Sequence, residues 1–122
     1  MAEVIRSADC SNSLRNARAE EIALALMGIG QLQADTLAEA ATWDGAGGAV
    51  AGREAILAKI GGMERPAKVR VEQVVTHGKA GTVSGRITRG DDTRLYCHVI
   101  RFTSASAGQV AQLVSFEHPG GA

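Results

Sequence analysis

The stretch that decides the fold is RLYCHVIRF, residues 94–102, in the second half of the chain. It is rich in β-branched and aromatic residues, a composition that predicts a β-strand. Because side chains alternate between the two faces of a strand, the residues fall into two sets: Tyr96, His98, Ile100 and Phe102, and Leu95, Cys97, Val99 and Arg101. Arg101 prefers solvent. We therefore expect the first set, and with it His98, to face the interior.

An inward histidine needs an explanation, because each nitrogen of a buried imidazole requires a hydrogen-bond partner. Two interpretations of His98 remain open from the residues alone. It lines a cavity and acts there on a bound molecule, or it is a core histidine bonded to a neighbouring side chain or a backbone carbonyl.

Three further segments of the second half have the same strand character: KVRVEQVVTH, GTVSGRIT and QVAQLVSFEH. The connections GKAG, RGDD and ASAG are rich in turn-forming residues and are short, which indicates hairpins between consecutive strands. The sequence therefore predicts a four-stranded antiparallel meander with strands near 68–77, 81–89, 93–104 and 108–118.

In the first half of the chain the apolar residues recur at the three-to-four spacing of a helix. LRNARAEEIALALMGIG predicts an amphipathic helix from Leu14 that ends at Gly28 or Gly30. QLQADTLAEAA predicts a shorter second helix, TWDGAGGAVAG a short strand or loop, and REAILAKIGG a third helix. Helices segregated from strands indicate the α+β class. We expect a loose N-terminal tail over residues 1–12 and a single domain over 13–122.

Composition excludes several classes of protein. The chain has 122 residues, with 13 Lys and Arg against 13 Asp and Glu, and such a balance argues against nucleic-acid binding. It has no apolar run of the roughly 18 residues that cross a membrane, and no signal-peptide pattern at its start. Cys10 and Cys97 are too few for a disulfide framework, which favours the cytoplasm. His77, His98 and His118 lack metal-ligand spacing, so no metal site is expected.

The order of these elements, with GREAI (52–56) before the third helix and HVIRF (98–102) followed by AGQVAQLVSFEH (107–118), resembles the nuclear transport factor 2-like (NTF2-like) superfamily. That group includes ketosteroid isomerases, SnoaL-like cyclases and limonene epoxide hydrolases. The resemblance covers roughly residues 14–118. It implies a cone-shaped, cystatin-like roll, in which three helices pack on a strongly curved sheet around an apolar pocket, and it implies a homodimer.

The resemblance also implies roles for particular residues. His98 falls where the matching strand of the ketosteroid isomerases carries an acid that donates a hydrogen bond in the oxyanion hole. Asp44 lies about where those enzymes place their general base, although Asp-Gly is also an ordinary turn dipeptide. In those enzymes a tyrosine on the first helix donates a second hydrogen bond in the oxyanion hole. This chain has no tyrosine near the matching position, Glu21 or Ala25, which argues against authentic ketosteroid isomerase activity. The expected pocket walls are Leu26, Trp43, Tyr96, Ile100, Phe102 and Glu117, the last also readable as an exposed rim residue.

Two functions of different class follow. The first is a cofactor-free isomerase, cyclase or hydrolase in which Asp44 moves a proton and His98 polarises a carbonyl or epoxide oxygen. The second is a non-catalytic module that holds a small apolar molecule or serves as a dimeric scaffold. Convergence of Asp44 and His98 on one cavity would favour the enzyme. In either case we expect a homodimer through the outer sheet face, which carries Cys97, Val99 and Val114.

Overall fold

The computed structural model describes residues 2–8, 13–45, 47–106 and 108–119. These residues form two α-helices, α1 (Leu14–Leu26) and α2 (Arg53–Gly61). They also form seven strands: β1 (Glu3–Ile5), β2 (Leu37–Gly45), β3 (Gly48–Ala51), β4 (Lys68–His77), β5 (Ala80–Arg89), β6 (Asp92–Phe102) and β7 (Val110–Pro119). All seven strands join one sheet in the order β1-β4-β5-β6-β7-β2-β3. Neither described helix is long and apolar enough to cross a membrane.

The α+β class and the meander are confirmed. Strands β4 to β7 follow one another antiparallel, and their bounds lie within two residues of those predicted. The sheet is mostly antiparallel, but β1 pairs parallel with β4 and β2 pairs parallel with β7. The meander is therefore extended on both sides by strands from the first half of the chain.

The prediction of three N-terminal helices was wrong in one element. Within the expected second helix, Ala34–Thr36 forms a single 3-10 turn and the chain from Leu37 onward is β2. Alanine and glutamate in this segment favour a helix locally. Pairing with β7 on one side and β3 on the other satisfies the backbone of β2 instead, and these long-range contacts override the local preference.

Helix α1 begins where the sequence predicts. The Ser13 hydroxyl accepts a hydrogen bond from the Asn16 backbone N–H at 3.1 Å and so caps the first turn. The helix ends at Leu26, and Gly28 follows with φ of +92°. A side chain at Gly28 would lie 2.9 Å from the Glu64 carbonyl oxygen, so both its conformation and its surroundings favour glycine. The buried face of α1 packs against β4 and β5.

Part of the predicted N-terminal tail has a defined place. Residues 3–5 are β1, and the segment after β1 is tied to α1 through the buried Glu20 carboxylate. That carboxylate accepts hydrogen bonds from the Arg6 side chain and, at 2.9 Å, from the Ser7 backbone N–H. Residues 9–12, including Cys10, lie outside the described residues. Cys97 is a partly buried free thiol.

Alternation along β6 and β7 divides the sheet into an inner and an outer face. Opposite one another on the inner face are Tyr96 and Glu117, His98 and Ser115, and Ile100 and Leu113. The outer face carries Cys97 opposite Phe116 and Val99 opposite Val114. The helices cover the inner face, and the main core forms there.

One glycine on the inner face makes a close approach possible. Gly85 of β5 lies opposite Tyr96, whose hydroxyl donates a hydrogen bond to the Arg70 carbonyl at 3.1 Å. A methyl group at Gly85 would overlap that carbonyl oxygen and lie 2.9 Å from the tyrosine oxygen. Backbone, not a mobile side chain, occupies the space.

We therefore expect Gly85→Ala to lower the free energy of unfolding by about 3 kcal/mol, because β4 or Tyr96 must move. Gly61→Ala is the matched control, since nothing lies within 4 Å of a side chain there. The control should be as stable as the wild type or more stable by up to about 1 kcal/mol, because Gly61 ends helix α2 and alanine has the higher helix propensity. Urea unfolding followed by circular dichroism measures both variants, and equal stabilities would contradict the packing described here.

Candidate functional site

A cavity of about 380 Å³ opens beside the inner face of β6 and β7. Apolar walls come from Leu26, Trp43 and Met63. His98 and Ser115 supply polar groups, and the charged residues around it are Lys59, Arg89, Asp92, Arg94 and Glu117. Apolar walls with a few convergent polar groups are the usual form of a small-molecule site.

His98 is the buried polar residue of this cavity, with 4% of its surface exposed. Strand alternation on β6 turns it to the inner face, opposite Val83 of β5 and Ser115 of β7. Its Nδ1 lies 2.6 Å from Ser115 Oγ. Its Nε2 is also buried and has no hydrogen-bond partner among the described residues. The imidazole thus has one nitrogen held by the protein and one left unpaired.

The hydrogen bond from Trp43 to Ser115 favours one tautomer of His98. The Trp43 indole N–H, which can only donate, bonds to Ser115 Oγ at 2.8 Å. Ser115 can then donate its own proton to His98 Nδ1, so a neutral imidazole carries its hydrogen on Nε2. The other tautomer would leave the Ser115 proton without an acceptor among the described side chains. We therefore assign Nε2 as an N–H donor.

The imidazole is neutral at physiological pH. Burial lowers the pKa of His98 from 6.5 to about 4, because the charged form loses its hydration. The Glu117 carboxylate opposes this by raising the pKa, and the Arg89 guanidinium lowers it further. A neutral His98 can donate one hydrogen bond but does not bring a positive charge into the cavity.

Both carboxylates beside the cavity are paired with arginines. Arg89 holds Glu117 through two hydrogen bonds of 2.9 and 3.0 Å, and Arg94 lies 3.3 Å from Asp92. The Arg89 hydrogen bond lowers the pKa of Glu117 although burial alone would raise it. Glu117 is consequently a weak proton acceptor.

Lys59 completes the charged edge. Its ammonium lies 4.3 Å from the centre of the Trp43 ring, a cation–π contact. Since Trp43 also bonds to Ser115, one indole connects Lys59 on its face with the Ser115–His98 pair at its N–H edge.

Four of the predicted site residues lie together around the cavity: Leu26, Trp43, His98 and Glu117. Tyr96, Ile100 and Phe102 are buried on the same face of β6 as His98 but belong to the packed core. Tyr96 is occupied by its bond to the Arg70 carbonyl, and burial raises the pKa of its hydroxyl. Asp44 follows Trp43 on β2, so its side chain turns to the opposite face, where it is exposed beside Val114.

Several residues of the cavity were not anticipated: Ser115, Lys59, Met63, Arg89, Asp92 and Arg94. Ser115 had a usable signal, because period two along QVAQLVSFEH places Leu113, Ser115 and Glu117 on one face. The others come from α2, the chain after it and the β5–β6 hairpin, which only the tertiary fold brings together. The described residues include no cluster of three metal-ligating side chains.

No protein-family model and no curated protein sequence matches the chain, but solved structures do. An NTF2-like protein of unknown function from Burkholderia xenovorans has a TM-score of 0.68 at 15% identity, over 90% of this chain and 90% of that chain. The chain has the NTF2-like fold. A SnoaL-like family protein from Agrobacterium tumefaciens gives a TM-score of 0.64 at 16% identity, over 87% of this chain and 99% of that chain.

A third matching structure is that of a protein from Kribbella flavida for which ketosteroid isomerase activity has been suggested. Its TM-score is 0.58 at 18% identity, over 88% of this chain and 72% of that chain. The expected resemblance to the NTF2-like superfamily is thereby confirmed at the level of the fold. Identities this low carry no activity from those proteins to this one.

The lowered pKa of His98 makes acid destabilising in this NTF2-like domain. Since the folded pKa of about 4 lies below the unfolded value of 6.5, the unfolded chain binds a proton first as the pH falls. The contribution of neutral His98 to the free energy of unfolding is therefore present above about pH 6.5, and it is lost as the pH falls from 6.5 to about 4. From pH 7 to 4.5 His98 should contribute a loss of about 2 kcal/mol.

Denaturant unfolding of wild type and His98→Gln at both pH values isolates this contribution. The wild type should lose about 2 kcal/mol more than the variant on acidification. His77→Gln, which changes an exposed histidine, should behave like the wild type. An equal loss in wild type and His98→Gln would show that the imidazole is not held neutral by burial.

Proposed function

We propose that this chain binds a small apolar molecule that carries a carbonyl oxygen, and that the oxygen accepts a hydrogen bond from His98 Nε2. One observation carries the proposal: His98 lines the cavity, and its buried Nε2, which the tautomer assigned above makes a donor, has no partner among the described residues. Leaving a buried donor unpaired typically costs about 1–3 kcal/mol. A carbonyl oxygen supplies the missing acceptor without adding a charge beside the apolar walls.

The arrangement favours binding over catalysis. Proton abstraction needs a base near the reacting carbon, with its pKa tuned towards neutral pH. Glu117 and Asp92 are both paired with arginines, and the pKa of Glu117 is lowered. Asp44 as the general base stays a prediction, and its exposed position on the opposite face of β2 from Trp43 does not support it. The non-catalytic ligand-binding alternative is therefore our first choice.

Two ligands that differ only in the carbonyl test the proposal: α-tetralone and tetralin. Titration of the single tryptophan, Trp43, by fluorescence or calorimetry should show that the wild type binds α-tetralone more tightly. His98→Leu should weaken α-tetralone binding about tenfold, the value of one good hydrogen bond, and leave tetralin binding nearly unchanged.

Asp44→Asn is the matched control and should bind α-tetralone like the wild type. Equal affinity of wild type and His98→Leu for α-tetralone would rule out His98 as the recognition group. A loss of α-tetralone binding in Asp44→Asn would instead revive the catalytic alternative.

We also propose that the chain forms a homodimer through the outer face of the sheet. Phe116 is 58% exposed there, and its neighbours Cys97, Val99 and Val114 are only partly buried. Contiguous apolar surface of this kind is typical of an interface. These apolar residues lie on the adjacent strands β6 and β7 and so form one patch. In a symmetric dimer the same patch of a second copy would pack against it.

Phe116→Lys should weaken the dimer by roughly tenfold or more, because aromatic residues at the centre of an interface contribute most of its affinity. Leu14→Lys is the control, since Leu14 is 91% exposed at the start of α1 and not on the outer face. Multi-angle light scattering of the eluting protein at micromolar concentration gives the mass. A wild-type monomer under these conditions would refute the proposal.

A further inference from the structure

The charges around the cavity do not cancel. Three cations, Lys59, Arg89 and Arg94, face two carboxylates, Asp92 and Glu117. Each carboxylate is paired with an arginine, at 2.9 and 3.0 Å for Glu117 and at 3.3 Å for Asp92. Lys59 remains, and it forms no ion pair among the described residues. The cavity therefore offers one uncompensated positive charge.

That charge has a defined position. The Lys59 ammonium is drawn to the face of Trp43, 4.3 Å from the ring centre, and the indole is itself anchored by its N–H bond to Ser115. An exposed lysine on a helix is ordinarily a solvated and mobile group. Here the last turn of α2 places the lysine against the cavity wall. A molecule lying along the indole would meet the ammonium.

The polar groups of the cavity are thus of two kinds. His98 Nε2 is a neutral donor and is buried, whereas the Lys59 ammonium is charged and exposed. Trp43 lies between them in the chain of contacts, joined to His98 through Ser115 and to Lys59 through its ring. A ligand that satisfies both must be apolar in its middle, carry an uncharged acceptor at one end and a negative charge at the other.

We propose that the ligand of this cavity is an apolar carbonyl compound that also bears a carboxylate, with the carbonyl at His98 and the carboxylate at Lys59. The inference rests on the proposed function and adds the charge of the ligand. A carboxylate matches Lys59, the one cation of the described cavity lining that forms no ion pair, whereas a phosphate would call for more donors, such as an arginine fork. Both arginines here are already occupied by carboxylates.

The test compares three ligands: α-tetralone, α-tetralone with a carboxylate on its aromatic ring para to the carbonyl, and the methyl ester of that acid. The wild type should bind the carboxylate about three- to fivefold more tightly than the ester, the range for one exposed ion pair. This preference should shrink at high salt, because the pair is screened.

Substitutions locate the charge that produces the preference. Lys59→Met should bind the carboxylate and the ester with equal affinity. Lys59→Arg should restore the preference. Lys79→Met, which removes an exposed lysine in the turn between β4 and β5, should retain it. In His98→Leu all three ligands should weaken while the carboxylate preference remains.

The outcomes separate this inference from the proposed function. Suppose that α-tetralone binds through His98 but that the wild type binds the carboxylate and the ester with equal affinity. The inference that the ligand carries a carboxylate is then wrong, and the proposed carbonyl-binding function is unaffected. A preference that survives in Lys59→Met, or that disappears in His98→Leu, also overturns the inference, because the carboxylate then lies elsewhere. If none of the three ligands binds, the proposed function fails and this inference fails with it.

Discussion

The Ser115 hydroxyl is the group on which the geometry of the cavity depends. It accepts a hydrogen bond from Trp43 on β2 and lies 2.6 Å from His98 on β6, so one oxygen joins side chains of three adjacent strands. Because β2 runs parallel to β7, with Trp43 beside Leu113 in the ladder, the indole N–H can reach the next inward residue of β7, Ser115. A buried polar network of this kind fixes side-chain orientation only when its members are satisfied. In this network His98 Nε2 is the one atom without a hydrogen-bond partner among the described residues.

The same register explains why Trp43 and Asp44 lie on different faces. Trp43 must point inward to reach Ser115, and strand alternation then sends Asp44 outward. The sequence left the segment around Asp44 open as a short strand or a loop, and in a loop no alternation applies and the side chain can point in either direction. Once the segment is a strand, the orientation of the carboxylate follows from that of its neighbour. The catalytic hypothesis required the Asp44 carboxylate to point towards the same cavity as His98.

How much of the fold the sequence could predict differs between its two halves. In β4 to β7 the period of two, the turn residues and the β-branched composition agree, so the strands and the inward direction of His98 follow from local pattern. In β2 the local sequence signals contradict the observed strand. Leu37 and Ala41 are four apart, which fits a helix, and the register against β7 shifts between Leu37 and Thr42, which interrupts the alternation. Only pairing with β7, distant in sequence, decides the structure.

The cavity therefore differs from an acid–base site in a definite way. Its donor, His98, is kept neutral by burial, its carboxylates are paired with arginines, and the pairing with Arg89 lowers the pKa of Glu117. In acid–base catalysis burial acts in the opposite direction on the base, raising the pKa of a carboxylate until it can take a proton near neutral pH. Among the described residues of the cavity, a buried neutral donor, an apolar wall and carboxylates paired with arginines fit the proposed binding of a carbonyl oxygen better than abstraction of a proton from the adjacent carbon. The chemistry of these side chains therefore supports the proposed recognition of a ligand, whereas the fold by itself indicates no function.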